Sequence, residues 1–388
     1  MKKIILCLMA MATLTSCQND DTDFSAYTNG GTTTPAVSTI YITYSGTAVT
    51  VSGDSKGYVT TSGADVTVNT GTDTDSLLLV LSGTTTDGSL LVYREKKFGI
   101  QLNGVNITNQ DGPAINNQCS KSLYMVVADG TTNTLADGTA YDESVSYQQK
   151  GALFSEGQIY FSGSGALTVT GSTKNAIACD DYIVVNGSPT ITAITSTGNS
   201  IKVNDGIWIN GGTLNLSTTA EGGRGIRCDS VVVVSGGTTT ITTSGSCKIE
   251  SVDGVADTTS AAGIKCDYDF TMTGGTLSMT SSGDGGKGLN CSTTATISGG
   301  SFSAITTGSN NVGKPKAVKA QTGIVLSGGS FFAKTTKSWA CDNGSDSDTY
   351  AERVTVSGTP SSTATITVNS VTYTSPTYAK RAVFVAFD

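Results

Sequence analysis

The chain contains no histidine. That excludes His-based zinc sites, histidine general bases and every histidine-containing catalytic triad across its 388 residues. Charge is scarce as well: Asp, Glu, Lys and Arg make up 14% of the chain, 23 basic against 31 acidic side chains. An acidic balance of this kind argues against a nucleic-acid partner, which needs a basic footprint. Aromatic residues are 7% of the total with two tryptophans, so broad cellulose-type stacking is not the first expectation. No stretch sustains a 3.6-residue hydrophobic period, which disfavours a helix-rich fold. CxxC spacing and an EF-hand loop are both missing.

The N-terminus is read first for compartment. Lys2 and Lys3 precede an apolar run from Ile4 to Leu14, too short to span a bilayer. The run ends in Leu14-Thr15-Ser16-Cys17, which resembles a bacterial lipobox with Cys17 as the lipidated residue. Residues 1–17 are thus expected to be a lipoprotein signal carrying a palmitate-type anchor into a lipid membrane. Gln18 to Asp23 resembles the surface-export signal of Bacteroidota lipoproteins, and 18–35 reads as a flexible acidic tether. The implied location is the outer membrane, at the cell surface. Without Lys2 and Lys3, 21 basic residues face 31 acidic ones, a net charge of -10.

The main signal is an internal repeat. Ala176-Ile177-Ala178-Cys179-Asp180, Gly225-Ile226-Arg227-Cys228-Asp229, Gly263-Ile264-Lys265-Cys266-Asp267 and Gly288-Leu289-Asn290-Cys291-Ser292 are its clearest copies. Degenerate copies centre on Ser155, Val203 and Ala320. The register positions are 155, 179, 203, 228, 266, 291 and 320, all but one of the steps being of similar length. Apolar residues follow at plus four and plus six, and a turn glycine at plus eight, as in Ile207, Ile209 and Gly211.

Period-two alternation returning about every 25 residues predicts short strands, each paired in parallel with its counterpart one coil along. The fold class is therefore all-β: a right-handed, single-stranded parallel β-helix, a solenoid over 36–352. A C-terminal cap is expected over 353–388, because an open strand edge is an aggregation hazard. The long step from Cys228 to Cys266 implies a loop around Ser246 to Ser260. Seven cysteines remain beyond Cys17, an odd number, and four of them share the inward column as small hydrophobes.

The order of these pieces resembles a carbohydrate-binding β-helix family typified by a surface protein of a cellulose-degrading clostridium. The resemblance runs from about Val49 to Asn343. It is carried by Leu102-Asn103-Gly104-Val105-Asn106-Ile107-Thr108-Asn109, by the segment Ala128 to Gly138 and by Gly163 to Gly171, with the Gly-Ile-x-x-Asp and Gly-Gly-Thr units. It implies a calcium-containing, right-handed β-helix, pectate-lyase-like in fold, that binds plant-type or acidic polysaccharide without demonstrated cleavage. The family's Asp-Gly-Ile at the start of each inward strand is replaced here by Arg224-Gly225-Ile226, Ala262-Gly263-Ile264 and Lys287-Gly288-Leu289.

Side chains beside the register position point outward. One place before it stand Lys202, Arg227, Lys265 and Lys319; one place after it stand Asp180, Asn204, Asp229 and Asp267. The cationic column is the candidate contact for a uronic-acid chain such as polygalacturonate, with Trp208, outward at plus five, as an aromatic contact. The adjoining columns also have a plainer reading, in which they neutralise one another on a solvated face. Calcium needs several hard oxygens at one point, and the candidates are Asp180, Asp181, Asn204, Asp205, Asp229 and Asp267. A non-catalytic, surface polysaccharide-binding lipoprotein is the leading expectation. The alternatives are a structural, adhesin-like stalk and a β-helix polysaccharide lyase.

Overall fold

The computed structural model describes residues 37–252, 255–345 and 349–388, with the side chains of 252, 255 and 256 left aside. The expected leader, Cys17 and the tether lie outside the described residues. The chain winds into a parallel β-helix with three strands in a typical coil, such as Arg224–Cys228, Val232–Val234 and Thr238–Thr243. The first strands of successive coils stack into a twelve-stranded sheet. The second and third strands belong to a sheet of 23 strands. Among the described residues, no helix is long and apolar enough to cross a membrane.

Strand pairing reproduces the register column read from the repeat. Ser155, Cys179, Val203, Cys228, Cys266, Cys291 and Ala320 are successive partners. The column also extends back through Asn117 and Val92 to Val68. All seven described cysteines are buried and free. Burial pushes the Cys228 thiol up to about 11 and the Cys179 thiol to about 12. Beside them runs a second inward column, including Leu153, Ile177, Ile201, Ile226, Ile264 and Leu289, each at most 2% exposed. Burying such a side chain stabilises by roughly 1.5–3 kcal/mol relative to leaving it in water, and these two columns set which face points inward.

The extended register reveals a larger period. From Val68 the column passes Val92 and Asn117, takes one long step to Ser155 and a short one to Cys179. From Cys179 the same rhythm returns, through Val203 and Cys228, a long step to Cys266 and a short one to Cys291. A four-coil unit therefore occurs twice, from Val68 to Cys179 and from Cys179 onward. Both long coils carry their extra length in the turn that leads into the twelve-stranded sheet. In the first unit this is the segment 138–150. In the second it is the antiparallel hairpin Lys248–Val252 and Val255–Thr259, where the loop was expected.

The turn glycines divide two tasks. From the coil of Val203 onward, positive φ falls on the second glycine of each pair, as at Gly237 (70°), and not on the plus-eight residue. The plus-eight Gly236 is required for space: a Cβ there would sit 2.3 Å from the carbonyl oxygen of Asn210 in the coil below.

Antiparallel strands close both ends. Val59–Ser62 folds back on Asp65–Asn69 at one end. At the other, Ala382–Ala386 lies antiparallel across Ser330–Thr335, after the strand Thr355–Val356 has added one more parallel rung. The antiparallel strand covers the third column of the coils, whereas Cys341–Asp342 and Thr355–Val356 end the other two as parallel rungs.

Candidate functional site

Along the outer face of the twelve-stranded sheet, Lys202, Arg227, Lys265, Asn290 and Lys319 stand in one pairing column. Period-two geometry puts them outside because Ile226, Ile264 and their column mates point in. The acids one place past the register interleave with them. Lys202 bonds Asp229 at 2.5 Å, Arg227 bonds Asp229 and Asp267 at 2.7 Å each, and Lys265 bonds Asp267 at 2.7 Å. Each of Lys202 and Arg227 thus reaches the acid one coil along, which makes a ladder of ion pairs across three coils. Burial would push the Asp267 carboxyl up, but hydrogen bonds from Arg227 and Lys265 outweigh it and hold the group below the usual carboxylate range. The three cations keep 26%, 20% and 18% of their side-chain surface, so they remain reachable as donors.

Three places further back, Arg224, Lys287 and Lys316 line the same sheet, with Ala262 between the first two. Lys287 is buried and donates to the Ser260 hydroxyl at 2.5 Å. Burial pushes its ammonium down, and the neighbouring charges of Lys319, Lys316 and Arg224 push in the same direction. Counting the strands from Ile201–Val203 to Cys341–Asp342 and the residue after each, seven cations meet Asp229, Asp267 and Asp342. The ladder therefore leaves a surplus of positive charge on an acidic protein. A groove of about 490 Å³ opens beside it, lined by Lys150, Lys174, Asn175, Asp180, Lys202 and Asp229.

The first unit presents a different face. Its outward column holds Thr67, Leu91, Asn116 and Phe154. The 138–150 segment lies over it: the Gln148 carbonyl accepts hydrogen bonds from Asn116 and Gln118, each 3.0 Å. Phe154 is fully buried although it points outward. A smaller cleft of about 200 Å³ between this segment and the sheet is bordered by Asp65, Asp111, Asp142 and Tyr147. Burial pushes the Asp111 carboxyl up, and the charges of Asp65, Asp87 and Asp142 add to the shift.

The six calcium candidates do not converge. Asp180 is paired with Lys150 at 2.5 Å, Asn204 accepts from Lys202 at 2.9 Å, and Asp229 and Asp267 belong to the ladder. Asp181, next to Asp180 in sequence, accepts instead from Gln158. Asp205 follows Asp181 one coil along, with its amide donating to the Asp181 carbonyl at 3.0 Å. Among the described residues, no group of three or more Asp, Glu or Cys side chains is placed to hold a metal. The residues present therefore do not fit one shared calcium site.

Trp208 lies on the other sheet, away from the cationic column. Its ring packs 5.6 Å from Tyr182, which hydrogen-bonds Tyr160, and Tyr160 stacks on Tyr124 at 5.1 Å. This aromatic row was not anticipated. Tyr160 shares the plus-five offset with Trp208, a signal present in the repeat, but Tyr182 and Tyr124 fall at other offsets.

The described residues thus form a parallel β-helix that carries a cationic column on one sheet and a groove beside it. The chain belongs to the family described as carbohydrate-binding domain-containing protein, which matches residues 62–229 and 219–311. A carbohydrate-binding domain-containing protein of Acetivibrio thermocellus is 32% identical over 102 residues, 25% of this chain. That match spans 36% of the relative's own length. A solved structure, the polysaccharide lyase-like protein from C. thermocellum as a gadolinium derivative, superposes with a TM-score of 0.53. It is 23% identical, covering 67% of this chain and 96% of that one, and shows the shared fold.

Proposed function

We propose that the chain is the binding part of a surface lipoprotein and holds an extended, uronic-acid-containing polysaccharide along the cationic half of the twelve-stranded sheet. The observation that carries this reading is the surplus of seven cations over three carboxylates on one face of a chain whose formal net charge is -8. Coils advance by roughly 4.8 Å, a step comparable with one sugar residue, so successive carboxylates of a polyuronate meet successive coils. Lys202, Arg227, Lys265 and Lys319 act as donors, while Asp229 and Asp267 hold the first three in place. Equilibrium binding to polygalacturonate and to a neutral galactan tests the idea. Tighter binding to the neutral polymer would sink it.

A second reading, a β-helix polysaccharide lyase, is favoured by the fold that this chain shares with the polysaccharide lyase-like protein. Release of unsaturated products from polygalacturonate, read by ultraviolet absorbance, would establish that reading over binding alone. For the anchor, Cys17→Ala is expected to abolish lipid labelling and to free the protein from outer membranes. Labelling that persists in that variant would remove the lipoprotein assignment.

A further inference from the structure

On the 23-stranded sheet, the second strands of three successive coils carry an outward column of Tyr160, Val184 and Trp208. Tyr182, two places before Val184, sets its ring against both larger neighbours, 5.7 Å from Tyr160 and 5.6 Å from Trp208, turned 81° to each. A glycine places the indole. At Gly206, the strand partner of Tyr182, φ is 145° and a Cβ would lie 2.7 Å from two atoms of the Trp208 ring. Only a residue without a Cβ lets the indole lie back over its own strand towards Tyr182. All three rings are half-buried, so each keeps part of its surface open to solvent.

Polar groups border this strip on both sides. On one, the Asn210 amide donates to the Asn186 side-chain oxygen at 3.0 Å, and the Ser235 hydroxyl donates to that of Asn210 at 2.8 Å. These three form an exposed ladder of amides and a hydroxyl across three coils. On the other side, Gln158 donates to the Asp181 carboxylate, and Asp205 follows one coil along, exposed. The strands between, Ile159–Gly163, Tyr182–Val185, Gly206–Ile209 and Val232–Val234, hold no charged residue.

Apolar surface rimmed by polar groups marks a place for a ligand. Here Asp181 and Asp205 repel a polyanion, which excludes the polymer that suits the opposite sheet. An uncharged pyranose has the matching two-sided build: C–H groups on its ring face meet aromatic carbon, and its hydroxyls exchange hydrogen bonds with amides and carboxylates. In a chain of a carbohydrate-binding family, a sugar polymer is the occupant with that build. The three rings span two coil steps, roughly 10 Å, a length of about two sugar residues. We infer that this strip is a second glycan site, on a different sheet from the cationic face, and that it takes a neutral pyranose chain. It goes beyond the reading of the cationic face and stands or falls without it.

Calorimetric titration of the full chain with xylohexaose tests the inference. Saturable binding is expected, weaker by about tenfold or more in Y182A/W208A, a variant that should keep the wild-type circular dichroism spectrum and cooperative melting. Xylohexaose should also change the emission of Trp208, isolated by Trp339→Phe. K202A/R227A/K265A should bind xylohexaose as the wild type does, and Y182A/W208A should bind polygalacturonate as the wild type does, so loss of one face is told apart from loss of the other. A wild type that does not bind xylohexaose would overturn the inference, as would unchanged affinity in folded Y182A/W208A. Binding that leaves the Trp208 emission unaltered would place the sugar elsewhere and overturn it as well. A wild-type dimer that the same double variant dissociates, seen by sedimentation, would assign the strip to contact between copies of the chain instead.

Discussion

The two four-coil units wind the same backbone and offer different surfaces at equivalent positions. Where the first has Thr67, Leu91, Asn116 and Phe154, the second has Ala178, Lys202, Arg227 and Lys265. The first unit's cleft is bordered by Asp65, Asp111 and Asp142, whereas the groove where the two units meet mixes Lys150, Lys174 and Lys202 with Asp180 and Asp229. The contrast continues inside. Asn117 and Ser155 occupy the places of Cys228 and Cys266, and the Asn117 amide donates to the Ser155 hydroxyl at 2.8 Å. Main-chain pairing holds the coils together, so outward side chains are free to diverge in charge. Inward ones are bound by volume and by the cost of leaving a buried polar atom unpaired.

The largest expected effect lies in the core. Asn117 is fully buried; its amide also donates to the Cys119 carbonyl, and its side-chain oxygen accepts from the Cys119 amide. Asn117→Ala strands those partners and is expected to cost about 2–4 kcal/mol. The equivalent Cys228→Ala, which leaves a small apolar cavity, should cost about 1–2 kcal/mol. Denaturant midpoints compare the two; equal shifts would show that the inward columns are interchangeable.

Next comes the outer face. K202A/R227A/K265A should weaken polygalacturonate binding at least tenfold at low salt, about 1.4 kcal/mol or more, and by less as salt rises. Its melting temperature should fall only slightly, since partly exposed pairs contribute roughly 0–1 kcal/mol each. D65N/D111N/D142N, in the first unit, should leave affinity within about twofold, because only desolvated contacts move it strongly. Matching losses in both triples would erase the distinction between the units.

Acid titration should separate them with opposite signs. Asp267, held below its ordinary value, contributes stability that is present above the unfolded pKa and lost as pH falls through the lowered one. Asp111, pushed up, works the other way: its folded form gains stability as pH falls through the raised value. Asp267→Asn should therefore flatten the acid loss of melting temperature, and Asp111→Asn should remove a small acid gain. The smallest expected effect is that of chelation. EDTA should leave melting temperature and glycan binding unchanged, since the candidate carboxylates are divided among separate partners; a clear drop would restore a calcium role.

The strand register from Ser155 to Ala320 was legible because small inward residues recur at a nearly constant interval, and parallel stacking preserves that interval. Its continuation to Val68 was hidden by Asn117, a polar residue in an apolar column, and by the long coil that follows it. The outward columns were legible from the same period, but the pairing of Arg227 with acids of two coils depends on side-chain reach. Grouping Asp180 with Asp181 followed their adjacency in sequence, whereas in the bend between two strands they take separate partners, Lys150 and Gln158. The tyrosine row escaped because its members come from unlike offsets.

The repeated unit also sets how such a molecule changes length. Four coils advance the axis by roughly 19 Å, and the antiparallel strands Val59–Ser62 and Ala382–Ala386 at the two ends lie outside the repeated unit. Copying one unit in the gene inserts a whole segment of face between unchanged termini, with its own long turn and a fresh set of outward positions beside the register free to take a new charge. Recognition length in this architecture is thus inherited in steps of one unit, and each copy is a separate site for selection to act on.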